Sequence, residues 1–439
     1  MPPPAPSTKA TPLWVVLLFV FVNSIGGGVI TTGFPFLAGM YGFKPHDNYL
    51  MGLAQGVMYI LGALGVGPVL TRVASTSRRV TPRFMLGALP TVLGLLCVLP
   101  IALRPAAGQA APAAWPFWLL VLGYSLLTGV LWPIAESYLS GGRSGHALRS
   151  ATGVFNVTWS SALVLAYWAM GPLVGEYTPE VVLGVGVLHI GCLAMLPLFA
   201  STPAPHVHEV HRAPPVYPRL LGVFRMQLPT SYLVYSALTP YLPLAFGELG
   251  VSRSWHTPIA ATWLLSRVLT FALLQRWHGW HGRWLTAWVG SLLLLTGFGA
   301  AVLSSSIGGN PGIAALVVGL AVFGIGMGTI YCSALYYAMA VGNAQVDAGG
   351  KHEALIGVGY GAGPALALLA MSIQQQGWLT PRSAAGGVGG RFEYIMLVLV
   401  AIVGVAVVAW SLIRSALHAS DSSIQPARGA GRNPPSTGR

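Results

Sequence analysis

Residues 128–175 read TGVLWPIAESYLSGGRSGHALRSATGVFNVTWSSALVLAYWAMGPLVG. The stretch has the form of two apolar helices joined by a short basic turn, with one carboxylate, Glu136, where the first helix leaves the membrane. A carboxylate in an apolar span is costly and needs a nearby cation and a role. Arg143 and Arg149 stand close enough in sequence to be its partners. About 200 residues later, residues 326–364 repeat the plan as GMGTIYCSALYYAMAVGNAQVDAGGKHEALIGVGYGAGP. Gly129 answers to Gly328, the Gly141-Gly142-Arg143 turn to Gly349-Gly350-Lys351, and Gly171-Pro172 to Gly363-Pro364. The chain therefore reads as two related halves.

Of the 439 residues, 54% are hydrophobic and only 8% charged, against about 25% charged in soluble proteins. With a mean hydropathy of +0.68, this composition excludes an ordinary soluble protein and requires an integral membrane protein. The net charge of +13 comes from basic residues scattered singly between apolar spans. Nucleic-acid binders instead gather their basic residues on one face, so these residues read as topology signals and no nucleic-acid partner is expected. Cys97, Cys192 and Cys332 lie in apolar stretches with no Cys-x-x-Cys spacing and read as plain buried residues. Lys9 precedes an apolar run that continues to about Met40 without a small-residue cleavage site, so the run reads as a retained first helix.

A span needs about 20 apolar residues. On that rule helices are expected at 13–40, 48–71, 84–103, 116–139, 150–172, 180–200, 227–247, 257–275, 284–305, 312–340, 353–374 and 392–415. The expected domains are a tail at 1–12, a six-helix bundle at 13–200, a loop at 201–226, a second six-helix bundle at 227–417 and a disordered tail at 418–439. With the N-terminus inside, about seventeen of the 23 Lys and Arg fall on cytoplasmic segments and about five outside, which is the positive-inside bias. Both termini are then cytoplasmic, in a cell membrane.

Spans three, six, nine and twelve are nearly pure hydrocarbon, whereas the others carry the polar side chains. Lipid cannot satisfy such groups, so they must face protein or a water-filled cavity. Every third helix is thus expected to be a lipid-facing wall, with the remainder enclosing something polar. Glycines at short spacing, such as Gly357, Gly359, Gly361 and Gly363, let neighbouring backbones approach.

This arrangement of two repeated six-span halves, a central loop and every third helix apolar resembles the major facilitator superfamily. The resemblance covers about residues 12–417. It implies an all-α fold of twelve transmembrane helices in two pseudo-symmetric bundles, with a solute site between them near the midplane. The local motifs depart from the family's pattern. In the loop after span two, Gly67 and Arg72 match, but Thr71 stands where the family has Asp and Ala74 where it has a second Gly. In the second half Gln275 precedes Arg276, again neutral before basic. Glu136 and Arg143 fit the Glu-x6-Arg spacing of the family's sugar porters, while the signature those porters carry after span six is absent.

Two groups of candidate residues follow. Arg72, Arg78, Glu136, Arg143, Arg149, Arg276, Lys351 and Glu353 are expected to form a cytoplasmic gate of ion pairs, with Glu353 in the first turn of span eleven, where the helix dipole favours it. Arg267, near the middle of span eight, has no carboxylate at its depth, which points to an anionic substrate or backbone carbonyls as its counter-charge. Around it Asn23, Gln55, Asn156, Trp159, Tyr232, Tyr235, Tyr331 and Tyr336 offer aromatic faces and hydrogen-bonding edges for a mid-sized organic solute. His189, on a wall helix, reads as a packing residue, and no protonatable carboxylate is expected deep in the bilayer. The loop histidines His206, His208 and His211 with Glu209, and His278 with His281, have short spacings but no fixed geometry, so no metal and no cofactor is expected.

The function these features imply is secondary or facilitative transport of a small organic solute, anionic or sugar-like, by a monomeric permease in the lipid bilayer. The alternatives are an efflux pump for lipophilic compounds, a membrane-embedded enzyme and a non-transporting solute sensor. No nucleophile with a base, no carboxylate pair and no Asp-rich motif supports an enzyme.

Overall fold

Proline sets where several helices begin. Its fixed φ suits the first turn, and its missing N–H is not needed there. In the computed structural model, which describes residues 10–76, 80–103, 114–205, 214–341, 346–377 and 391–424, α1 (Leu13–Gly26) follows Pro12 and α2 (Pro45–Thr76) opens on Pro45. α3 (Pro82–Leu96) opens on Pro82, with the Thr81 hydroxyl accepting from the Phe84 amide at 3.2 Å. α4 (Trp115–Ser140), α5 (Gly145–Met170) and α6 (Thr178–Gly191) complete the first half. α7 (Val216–Leu238), α8 (Arg253–Arg276), α9 (Trp284–Ile307), α10 (Gly309–Val341), α11 (Val346–Gln375) and α12 (Phe392–Ile424) make the second. No strand occurs among the described residues.

Ten of the helical segments are long and apolar enough to cross a membrane. The other two principal helices, α5 and α7, are more polar: α5 carries His146, Arg149 and Asn156, and α7 carries Arg219, Arg225 and Gln227. The protein is an all-helical, multi-pass membrane protein.

Several expected boundaries move. A loop was expected over 201–226, but helix begins at Val216, directly after Pro214 and Pro215. α12 is helical to Ile424, past the expected end at 417. α11 starts at Val346, so Glu353 lies about two turns inside it and not in the first turn. Of the expected tail at 1–12, Thr11 is buried and its hydroxyl accepts from the Ala200 amide at 3.1 Å. Arg78, residues 206–213 with their histidines, and residues 425–439 lie outside the described residues.

The wall helices follow the hydropathy pattern unevenly. Only 28% of the apolar window is buried in α6 and in α12, against 56% in α1, α4, α8, α10 and α11. α3 and α9 reach 44%, more than α2 at 39%. α9 is more buried than α6 and α12 because it packs closely on α10: a methyl group at Gly297 of α9 or Gly326 of α10 would overlap the other helix's backbone. Across the halves, α2 runs against α11 and α5 against α8. The repeated glycines keep equivalent jobs, Gly129 of α4 lying on α2 at Tyr59 and Ala63, and Gly328 of α10 lying on α8 at Arg267 and Thr270.

The tightest approach between halves is at Gly56 and Gly361, where a Cβ on Gly56 would overlap the Gly361 backbone. Gly65, on the same helix, has open space around it. We expect Gly56→Ala to lower stability by about 1–3 kcal/mol through overpacking, read as the midpoint of thermal unfolding in detergent. Gly65→Ala should be neutral or stabilising. Equal effects from the two substitutions would contradict this packing.

Candidate functional site

A cavity of about 80 Å³ lies between the halves. That is room for several water molecules. Its lining is aromatic and acidic: Tyr59, Trp132, Trp159, Tyr232, Tyr331 and Tyr360 surround Glu136 and Glu353. Polar backbone and hydroxyls come from α1 and the π-helical turn that continues it, Gly27–Thr32, with Ser24, Gly27, Thr31 and Thr32 on the wall. No Lys, Arg or His lines it among the described residues.

The π-helical turn exposes carbonyls that a regular helix would use, and two side chains take them. Gln55 Nε2 donates to the Thr31 carbonyl at 3.1 Å, and the Tyr167 hydroxyl donates to the Thr32 carbonyl at 2.9 Å. Gln55 thus holds the cavity wall in shape.

The two carboxyls come from opposite halves. Glu136 of α4 and Glu353 of α11 both line the cavity, and the Tyr59 hydroxyl of α2 donates to Glu353 Oε2. Two carboxyl groups can share a hydrogen bond only if one carries a proton, since two carboxylates are acceptors alone. Like charges in one buried site also cannot both persist.

The expected pairing of Glu136 with Arg143 does not form. Arg143 donates through Nη1 to the carbonyls of Tyr138 and Leu139, at 3.0 and 2.7 Å, and through Nη2 to the Thr11 carbonyl at 3.0 Å. It caps the end of α4, whose last carbonyls have no helical partner, and does not reach Glu136. Arg149 lies on a second cavity, and Arg72, Arg276 and Lys351 are exposed at the same end of the bundle.

The expected substrate residues divide. Trp159, Tyr232 and Tyr331 line the central cavity. Asn156 accepts from Trp159 Nε1 at 3.2 Å and, with Tyr336, lines the second cavity. Tyr235 packs on Trp263 with ring centroids 5.0 Å apart. Asn23 is bonded to His189 Nδ1 at 3.0 Å, and His189 Nε2 to the Tyr124 hydroxyl at 2.8 Å. His189 is thus a buried residue bonded at both ring nitrogens.

Arg267 is buried behind the cavity-lining Trp159 and is not itself on the lining, and its Nη2 has no hydrogen-bond partner among the described residues. Its guanidinium carbon lies 4.5 Å from the Trp159 ring centre and 4.7 Å from that of Trp263, and its Nε donates to Ser160 Oγ at 3.0 Å. Two indole faces supply the stabilisation that a carboxylate would otherwise give. Sequence reasoning put Glu136 and Glu353 in a cytoplasmic gate of ion pairs and did not see that they share one cavity with Tyr59. The available signal was that these are the carboxylates lying inside apolar spans of opposite halves.

Arg267→Lys keeps the charge but cannot stack as a plane between two indoles. A loss of about 2 kcal/mol is expected, measured as a lower unfolding midpoint in detergent together with altered tryptophan fluorescence. An unchanged midpoint and spectrum would show that the stacking does not hold Arg267.

No protein-family model and no curated protein matches the sequence. Solved structures do match the fold. A bacterial homolog of the human lysosomal transporter Spinster, in an inward-facing and unoccupied conformation, aligns with a TM-score of 0.59 at 16% identity over 94% of this chain and 96% of that one. The nucleoside transporter NupG aligns with a TM-score of 0.61 at 12% identity over 92% of this chain and 98% of its own. Over more than nine-tenths of its length the chain therefore has the fold of these transporters, the fold that the resemblance to the major facilitator superfamily implied.

Proposed function

We propose that the chain is a secondary transporter that moves a small, positively charged organic solute by alternating access, in exchange for the proton shared by Glu136 and Glu353. α5 and α7 then serve as the remaining two spans, giving six helices in each half within 13–200 and 227–417. The basic segments, the link after residue 200 and both chain ends face the cytoplasm of a cell membrane, and one copy suffices.

The observation that carries this reading is the cavity lining, two carboxyls within an aromatic box and no lining cation among the described residues. Aromatic faces attract an organic cation, most strongly when water is excluded. An anionic solute would meet carboxyls there, while Arg267 is already engaged by Trp159 and Trp263. A solute cation and a proton compete for one negative charge, so binding of either weakens binding of the other by linkage. That competition gives exchange.

The cavity's size supports alternating access as well. At about 80 Å³ it holds several waters, so a solute of more than a few heavy atoms requires the halves to part. The Glu136–Glu353 pair must then separate as well.

The test uses protein reconstituted into liposomes with an internal pH dye, and quaternary ammonium compounds as solutes. Wild-type protein should move the solute and protons in opposite directions. Glu353→Gln and Glu136→Gln should each lower coupled flux by about tenfold or more. Flux confined to organic anions, or wild-type coupling in both variants, would contradict the reading.

A further inference from the structure

A second cavity, of about 140 Å³, opens at the end of the bundle where α5 begins and α8 and α10 finish. Its charge is the opposite of the first. His146 and Arg149 of α5 line it, together with Gln275 and, from the end of α8 and the turn after it, His278 and His281. Tyr336 of α10 closes the wall, its hydroxyl 3.4 Å from His281 Nδ1. No Asp or Glu lines it among the described residues.

The placement of the α5 residues runs against ordinary helix electrostatics. A helix N-terminus carries a partial positive charge and favours acidic side chains. The first turn of α5 has no acidic residue, and His146 and Arg149 stand there instead. The imidazoles add to the crowding: burial, with His278 and Arg149 alongside, pushes His281 down to about 4. His281 is then neutral and enters as a hydrogen-bonding group, while Arg149 is a standing positive charge with no lining carboxylate among the described residues to offset it, a counter-charge that an anion from outside supplies.

The donors also suggest which anion. A guanidinium, imidazoles, an amide and a phenol present N–H and O–H groups from several directions around one space. A tetrahedral oxyanion with several acceptor oxygens uses such a set better than a planar carboxylate with two. We propose that this cavity binds a phosphate group, held by Arg149 and His146 from the first half and by His278, His281 and Tyr336 from the second. A phosphate there ties the halves together at this end. The group can belong to a free phosphate compound or to the headgroup of an anionic lipid, whose phosphates lie at the depth of basic pockets at helix ends.

Arg149 and His278 are exposed, so substitutions there should leave the fold intact, and neither touches the central cavity. The full chain is purified in neutral detergent and its unfolding midpoint titrated with inorganic phosphate against chloride at matched ionic strength. Phosphate should raise the midpoint by mass action, with affinity roughly tenfold weaker in Arg149→Gln and in His278→Gln. A parallel series compares vesicles of phosphatidylcholine alone with vesicles containing phosphatidylglycerol. Stabilisation by phosphatidylglycerol that Arg149→Gln removes, without a response to inorganic phosphate, assigns the site to a lipid headgroup. If neither probe stabilises the protein over its control, or both variants respond as wild type does, the proposal is overturned.

Discussion

Hydrocarbon offers a polar group no hydrogen-bond partner, and the interior of this protein is arranged around that constraint. Several of the charged and polar side chains within the spans are held by another part of the chain. Arg267 lies between two indoles, His189 between Asn23 and Tyr124, and the open carbonyls of the π-helical turn receive Gln55 and Tyr167. Glu136 and Glu353 come from opposite halves, as do Arg267 and its partners Trp159 and Ser160. His189 and the π-helical carbonyls are satisfied within the first half and would stay as they are if the halves moved, whereas groups that span the seam would not.

The glycine contacts make such movement mechanically plain. α2 and α11 meet at Gly56 and Gly361 with no side chain between them, so the inter-half surface there is smooth backbone. Smooth faces slide or part without unlocking interdigitated side chains, in contrast to the ring-on-ring packing of Tyr217, Trp280, Tyr336 and Tyr337 within the second half.

Much of the fold was legible in the sequence because it is dictated by hydrophobicity, which acts residue by residue. The apolar spans, the repeated Gly129 and Gly328, and the outward faces of α6 and α12 all follow from local pattern. The site was legible only in part, since Trp159, Tyr232 and Tyr331 lie on the cavity but Asn23, Tyr235 and Arg267 serve packing around it. Sequence spacing suggested Arg143 as the partner of Glu136, yet the guanidinium turned to the carbonyls at the end of its own helix. The carboxyl that shares its cavity, Glu353, is more than two hundred residues away, and no periodicity encodes a juxtaposition that only the docking of two bundles creates.

The most direct test of the shared proton is infrared spectroscopy of the carboxylic acid C=O stretch in the purified protein at neutral pH. Wild type should show a protonated carboxyl band that shifts in Tyr59→Phe, where a hydrogen bond to Glu353 is lost, and disappears in the Glu136→Gln, Glu353→Gln double variant. A spectrum with no such band in wild type, both carboxyls being ionised, would contradict the account at its centre.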